Sequence, residues 1–274
     1  MNSKKPNALF KWFKRIITGL LVIVGVLIVV IAGSIIYDTA FGLDIADYVN
    51  TEYSNVQGET LQGYLAMPEG EGPHPAVLLI HEWWGLNDGI TTLADALAEE
   101  GYVVFAPDAY RGEVTTIIPR AFWMISTTPN EQIFADVDSG LAYLRGLENV
   151  DPDRVASMGF CFGGGHSLQL GLRQSENLAV TILYYGALVT EPELLRSLVG
   201  SQPVLGIFAE EDQMIFPEDV LEFEAALNSL DIENEITIYE GVPHGFVQGD
   251  NFDQPGASMD AWQQAVAFLD KNLK

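Results

Sequence analysis

The residues best suited to chemistry form the segment Gly-Phe-Cys-Phe-Gly-Gly at positions 159–164. An apolar run at residues 155–158 precedes it, and a helical pattern from about residue 164 to 172 follows. A strand, a glycine-rich tight turn and a helix are the context of a nucleophile elbow, here with Cys161 in the place usually held by serine. The dipole of the following helix favours the reactive thiolate. The competing interpretation is a buried structural cysteine at a helix start.

A cysteine nucleophile needs a base, and that base needs an acid to orient it. In a fold built around this elbow, the chain order is nucleophile, acid and histidine. Of the four histidines, His244 follows the last predicted strand in a Pro-His-Gly turn, which predicts that it is the base. His74 lies in a loop, His81 precedes the nucleophile, and His166 fits better as a packed or capped helix residue.

The orienting acid is expected at the end of a parallel strand, because groups that face a ligand gather at the C-terminal ends of such strands. The apolar run at residues 204–209 leads directly into Glu210, Glu211 and Asp212. We assign the role to Asp212. On spacing alone, Glu210, Glu211 and Asp219 remain alternatives.

An oxyanion hole requires two backbone N–H groups. One is expected from Phe162, the residue after the nucleophile, and the other from Trp83, in the loop after the first central strand. Apolar rings beside that loop would exclude water and strengthen the hydrogen bonds. A further apolar stretch at residues 111–130, which contains Trp123, either lines a substrate pocket or forms a packed surface helix.

The elements that must position these groups alternate between short apolar runs and helical patterns, which predicts an α/β fold with a mostly parallel central sheet and helices on both faces. Predicted strands are residues 60–67 at the sheet edge, then 76–80, 102–106, 155–158, 179–185, 204–209 and 235–239. Predicted helices are residues 90–100, 132–147, 164–172, 217–230 and 258–272.

The N-terminal region carries an uncharged stretch, Ile16 to Tyr37, whose 22 residues are enough to cross a bilayer. Basic residues precede this stretch and acidic residues follow it, which predicts a cytoplasmic N-terminus and an extracytoplasmic remainder. We therefore expect a basic cytoplasmic tail at 1–15, a single transmembrane anchor at 16–37, a connector at 38–55 and an α/β domain at 56–274. The alternative is a cleaved signal peptide, which would give a secreted protein.

The charge distribution excludes one class of partner. Five of the 13 Lys and Arg residues lie within residues 1–15, whereas none of the 38 Asp and Glu residues do, so the remainder carries a formal charge of −30. Such a surface repels nucleic acid. A single cysteine cannot form an intramolecular disulfide, so an oxidising compartment would not inactivate it in that way.

Several motifs together resemble the dienelactone hydrolase family, whose members have an α/β-hydrolase fold. They occur in the family's order from about residue 60 to the C-terminus: His81-Glu82 before Gly85, Ala106-Pro107-Asp108-Ala109-Tyr110, Gly159-Phe160-Cys161-Phe162-Gly163-Gly164, the Asp212 loop, and Tyr239-Glu240-Gly241-Val242-Pro243-His244-Gly245-Phe246. The resemblance implies a triad of Cys161, Asp212 and His244. It also implies that Glu82 contacts the resting thiol and modulates its ionisation.

The chain departs from the family at the groups that bind substrate. Dienelactone enzymes hold the substrate carboxylate with two arginines; here Arg111 follows Tyr110 near the first position, and Gln248 occupies the second. We therefore expect the reaction class to carry over and the substrate to differ. Candidate substrate-binding residues are Tyr110, Arg111, Trp84, Trp123 and Gln248.

The resulting expectation is a membrane-anchored enzyme that hydrolyses a carboxylic ester or lactone through a thioester acyl-enzyme, with no metal ion or organic cofactor. The membrane, through residues 16–37, and a small ester or lactone are the expected partners. A non-catalytic surface binding module on the same fold and an acyltransferase are the alternatives.

Overall fold

The N-terminal region of the computed structural model is one long helix. The structure describes residues 8–274, with side chains from Trp12 onward, so Lys4 and Lys5 of the expected basic tail lie outside the described residues. Helix α1, Ala8–Phe41, extends beyond the expected anchor at both ends. Its segment Trp12–Phe41 is long and apolar enough to cross a membrane, a property that signal sequences share.

The remaining described residues alternate between strands and helices. The strands are β1 (Thr51–Ser54), β2 (Thr60–Ala66), β3 (His74–Ile80), β4 (Val103–Pro107), β5 (Val150–Phe160), β6 (Val180–Tyr184), β7 (Val204–Ala209) and β8 (Asn234–Tyr239). The helices are α2 (Asp88–Glu99), α3 (Ile118–Thr127), α4 (Asn130–Arg145), α5 (Phe162–Arg173), α6 (Pro192–Leu195), α7 (Pro217–Ser229) and α8 (Ala257–Leu273).

The strands form one sheet in the order β1-β2-β4-β3-β5-β6-β7-β8. Strands β1 and β2 pair antiparallel with their neighbours, and the other pairs are parallel. The expected mostly parallel α/β fold is thereby confirmed. The strand predicted at the edge is in fact second from the edge, because β1 forms within the expected connector. Only Tyr53 of β1 is buried, which left too little periodicity to predict a strand.

Helices cover both faces of the sheet, which explains why the central strands are apolar throughout. In β3, Val77 and Leu79 belong to a core shared with α2 and α8, whereas Leu78 and Ile80 belong to a core shared with α4 and α5. Burying each such side chain contributes about 1.5–3 kcal/mol to folding. The parallel strands β3, β5, β7 and β8 have their C-terminal ends on the same side of the sheet, so the loops that follow them lie on that side.

Candidate active site

Cys161 occupies a sharp turn between β5 and α5. Its backbone has φ 53° and ψ −114°, a conformation that side chains other than glycine rarely adopt. Its N–H donates to the carbonyl oxygen of Tyr184 on β6 at 3.0 Å. A Cβ at Gly159 would overlap the carbonyl oxygen of Gly163, and one at Gly163 would overlap that of Ile80. The glycines thus let the helix pass close to the strands while the turn presents the sulfur.

His244 and Asp212 are brought together by the loops that follow β8 and β7. The distance between His244 Nδ1 and Asp212 Oδ2 is 2.7 Å. Asp212 is buried, and its other oxygen accepts from the N–H groups of Met214 and Ile215. A carboxylate held in this way accepts a hydrogen bond, so we place the proton of the neutral His244 ring on Nδ1.

That tautomer leaves His244 Nε2 with its lone pair available. Among the described residues, the buried Nε2 has no hydrogen-bond partner. The alternative acids Glu210, Glu211 and Asp219 are all exposed, and Glu210 accepts from the N–H of Gly241. Of these four carboxylates, Asp212 is therefore the one that contacts His244.

The surroundings of Cys161 keep its thiol neutral at rest. Burial, together with the negative charges of Glu82 and Asp212, raises the thiol pKa to about 12. A hydrogen bond from the Phe162 N–H acts in the opposite direction. The start of α5 thus lowers the thiol pKa in the expected direction, but burial and two nearby carboxylates outweigh it.

Glu82 lies beside this thiol on the loop that follows β3. Burial raises its pKa to about 7, partly offset by a hydrogen bond from Gln248. Gln248 Nε2 lies 3.4 Å from Glu82 Oε1 and also donates to the carbonyl oxygen of Gly245 at 3.0 Å. Glu82 therefore changes its charge near neutral pH, close to the Cys161 thiol.

Two backbone groups, those of Phe162 and Trp83, are the candidates for an oxyanion hole. Phe162 begins α5, and its N–H faces the sulfur. Trp83 lies in a turn that is closed by a hydrogen bond from Gly85 N–H to Glu82 O at 3.1 Å. Within residues 8–274, the Trp83 N–H donates to no backbone or side-chain acceptor, so it is available to a ligand.

A cavity of about 470 Å³ adjoins the elbow. Its walls include Glu82, Trp84 and Gln248, and Phe160 connects it to the nucleophile turn. Cys161 and His244 are not part of its lining, which reaches the site through Phe160, Val247 and Glu82.

Three of the predicted substrate-binding residues do not line this cavity. Arg111 is not a free substrate ligand: its guanidinium pairs with Asp136 at 2.7 and 2.8 Å and with Glu59 at 3.2 Å, away from the cavity. The Trp123 side chain is exposed on α3 and does not line the cavity. Tyr110 is buried beside Phe162, and its hydroxyl has no partner among the described residues.

The sequence did not indicate that His81 and Tyr185 would support the site. His81 is fully buried: its Nε2 accepts from the Ala109 N–H at 3.1 Å, so its Nδ1 donates to the Glu82 carbonyl oxygen at 2.7 Å. Burial lowers the His81 pKa to about 4, so this bridge is neutral. Tyr185 packs its ring 4.9 Å from that of His244 and donates to Val247 O at 2.6 Å. Its position directly after an apolar strand was the available signal.

No group of three or more His, Cys, Asp or Glu side chains within residues 8–274 is arranged to hold a metal ion. The site geometry instead consists of a thiol, an imidazole with a carboxylate behind it, and backbone N–H groups. Such groups perform nucleophilic acyl chemistry.

Comparisons with known proteins agree with this architecture. The family model "Dienelactone hydrolase family" matches residues 61–273. A relative from Aquifex aeolicus named "Putative carboxymethylenebutenolidase" is 28% identical over 79% of this chain and 96% of its own length. A relative of the same name from Saccharolobus solfataricus is 30% identical over 77% of this chain and 94% of its own length.

Solved structures give the same result. The crystal structure titled "Putative Dienelactone Hydrolase" from Klebsiella pneumoniae has a TM-score of 0.70 and 27% identity, covering 81% of this chain and all of that one. An esterase from Thermogutta terrifontis, at a TM-score of 0.62 and 18% identity over 81% of this chain and 93% of its own, shares the fold. The expected resemblance is confirmed: the chain belongs to the dienelactone hydrolase family and is a carboxylic ester hydrolase.

Proposed function

We propose that the enzyme hydrolyses esters or lactones through a Cys161–His244–Asp212 triad and a thioester acyl-enzyme. The observation that carries this proposal is the 2.7 Å contact between Asp212 and His244 Nδ1, which leaves the buried Nε2 available at the edge where the elbow presents Cys161. The thiol, the orienting acid and the base follow one another in the chain order of this fold.

In the acylation step, His244 Nε2 removes the thiol proton as the sulfur attacks the carbonyl carbon. The N–H groups of Phe162 and Trp83 stabilise the resulting oxyanion. The C–O bond then breaks, and the leaving oxygen takes the proton from His244. With a lactone, that hydroxyl remains attached to the acyl group.

In the deacylation step, His244 removes a proton from water, and the hydroxide attacks the thioester carbon. The C–S bond breaks, and the proton returns to sulfur, so the free acid leaves and the neutral resting thiol is restored. Because the thiol pKa is raised to about 12, ionisation accompanies attack rather than preceding it.

The charges around the cavity favour an uncharged substrate. Its walls carry the acidic residues Glu82, Asp88 and Asp250. Arg111 is occupied by Asp136 and Glu59, and Gln248 is neutral. A substrate carboxylate would therefore meet repulsion and no free arginine in this cavity.

The test is turnover of a panel of aryl esters and lactones by the detergent-solubilised full chain and by the Cys161→Ala variant. We expect the variant to lose activity by roughly 10³-fold or more while keeping its melting temperature. Because Cys161 is the only cysteine, thiol alkylation provides a matched control that should abolish the same activity. Retained turnover in Cys161→Ala would refute the nucleophile assignment, and acyl transfer to an added alcohol without release of free acid would favour an acyltransferase.

The long apolar helix supports the further proposal of an uncleaved anchor with a cytoplasmic N-terminus. Basic residues flank its start and Asp38, Asp44 and Asp47 its end, which is the charge bias of this orientation. When the cell envelope outside the cytoplasmic membrane has been made permeable, a protease added to the cells should digest the hydrolase domain. The intact mass of the protein isolated from untreated cells should include residues 16–37. A mature protein that begins after residue 37 would instead indicate a secreted enzyme.

A further inference from the structure

Helix α3 presents an apolar surface that nothing in the described chain covers. Ile118, Phe122, Trp123 and Ile125 are 64%, 64%, 58% and 38% exposed. Their spacing places them on one side of the helix. The opposite side buries Ala121 and Met124 against the domain. A helix that is apolar on both sides is expected to contact a second apolar environment besides the domain core.

This helix is fixed to the end of the proposed anchor. Arg120 of α3 donates to Asp38 of α1 at 3.0 Å, and the Thr115 hydroxyl donates to the same carboxylate oxygen at 2.5 Å. The Arg120 and Asp38 side chains are only 6% and 9% exposed. Arg120 also pairs with Glu113 at 2.6 Å. The orientation of α3 relative to α1 is therefore set by a nearly buried ion pair.

The position of this ion pair along α1 determines the depth of α3. Asp38 is the first charged residue after the uncharged stretch Ile16 to Tyr37, whose 22 residues span about 33 Å as a helix. Ser34 and Ile35, within the last turn of that stretch, are already partly covered, and α1 packs against α3. The docked helix thus lies at the level where the apolar span ends.

The chemistry of the exposed surface fits that level. Trp and Phe side chains favour the boundary between headgroups and acyl chains. No Asp or Glu occurs between Glu113 and Glu131, although the chain after residue 15 carries a formal charge of −30. This surface is thereby free of the charge that would repel an anionic leaflet.

We propose that Ile118, Phe122, Trp123 and Ile125 of α3 insert into the outer interface of the bilayer that α1 spans. The inference rests on the anchor proposal and not on the catalytic triad. Thr115 and Thr116, just before α3, line the cavity next to Glu82 and Gln248. Insertion of α3 therefore holds this cavity beside the membrane surface.

The test places a single environment-sensitive fluorophore on the full chain, in a Cys161→Ser background, through Phe122→Cys. The protein is reconstituted in vesicles of phosphatidylethanolamine and phosphatidylglycerol that contain spin-labelled lipids. A matched control is Leu194→Cys, a 59% exposed apolar position on α6 that is distant from α1 in the sequence. A third label, Ile28→Cys, reports on the middle of the anchor.

We expect a shallow spin label to reduce fluorescence at position 122 by about twofold or more and to leave position 194 nearly unchanged. A deep spin label should quench position 28. Quenching at 28 without quenching at 122 overturns the insertion of α3 alone, and no quenching at either position overturns the anchor and the insertion together. If the fluorescence at position 122 changes when the protein is diluted with lipid but does not respond to the spin label, a second copy of the chain covers this surface instead of the bilayer.

Discussion

At the scale of single residues, the site combines an imidazole that can accept a proton with a thiol that is not ionised. Asp212 holds His244 in the tautomer that leaves Nε2 free, whereas burial, Glu82 and Asp212 keep the Cys161 thiol protonated. A neutral buried thiol resists alkylation and oxidation, since the thiolate is the reactive form. If Cys161 is the nucleophile, as we propose, its neutral state protects it between turnovers.

This arrangement predicts the effect of Glu82→Gln on thiol reactivity. The variant keeps an oxygen that can accept from Gln248 but removes a negative charge near sulfur, so the thiol pKa should fall. Alkylation of Cys161 at about pH 8.5 should accelerate by about tenfold for each unit by which that pKa falls. The measurement is the iodoacetamide rate followed by intact mass.

The pH dependence of the same experiment provides the control. Glu82 has a pKa of about 7, so the wild-type carboxyl is mostly protonated below about pH 6 and no longer raises the thiol pKa there. The rates of wild type and variant should therefore converge as pH falls. A difference that is constant from about pH 5.5 to 8.5 would mean that the substitution acts through structure and not through charge.

The role of Asp212 can be separated from that of its acidic neighbours. In Asp212→Asn the amide would donate to His244 Nδ1 and favour the wrong tautomer, so kcat/KM for an aryl ester should fall by about 10³–10⁴-fold. Asp219→Asn and Glu211→Gln change exposed carboxylates and should stay within about threefold of wild type. A large loss in either control with an active Asp212→Asn would move the orienting role to the other acid.

At the scale of elements, the sequence was most informative where local pattern and fold coincide. Strand β7 has the predicted bounds, and β3, β4 and β6 differ from theirs by at most two residues at either end, because strands covered on both faces are continuous apolar runs. Strand β5 begins five residues before the predicted 155–158, because the polar residues Asp151, Asp153 and Arg154 near its start interrupt the apolar pattern. Strand β1 was missed, since an edge strand of four residues with one buried side chain has no such pattern. For the site, the chain order indicated His244, but the contact that distinguishes Asp212 from three nearby acids is tertiary.

The contact between α1 and α3 was also invisible in the sequence. Asp38 and Arg120 are 82 positions apart, and neither lies in a recognisable motif. The apolar stretch at residues 111–130 indicated a helix or a pocket wall, but which of its sides faces the domain depends on Arg120 meeting Asp38. The contact of Arg120 with Asp38 and the burial of Ala121 and Met124 together leave the aromatic residues of α3 facing outward.

This contact predicts that Asp38→Asn destabilises the junction between α1 and the domain. The variant leaves Arg120 nearly buried with Glu113 as its remaining ionic partner, which should cost about 1–3 kcal/mol. The measurements are the melting temperature of the detergent-solubilised chain and the quenching at position 122 in vesicles, both of which should decrease. Asp47→Asn, an exposed acid in the same connector, is the matched control and should change neither.

At the scale of the whole molecule, charge and apolar surface are segregated. The chain after residue 15 carries a formal charge of −30, whereas the stretch Ile16 to Tyr37 of α1 and the outer side of α3 carry no charged residue. Like charges held close together repel and destabilise the folded state, and salt screens that repulsion. The same repulsion would keep the domain away from an anionic leaflet except where α1 and α3 hold it.

The excess negative charge predicts that salt stabilises this protein. Raising NaCl from about 0.01 M to about 1 M shortens the screening length from about 30 Å to about 3 Å, so the melting temperature at about pH 8 should rise by several degrees. The control is the same titration near the isoelectric point of about 4.2, where the net charge vanishes and the rise should largely disappear. An equal rise at both pH values would mean that salt acts on apolar burial, and a fall at pH 8 would mean that ion pairs such as Arg111–Asp136 outweigh the net repulsion.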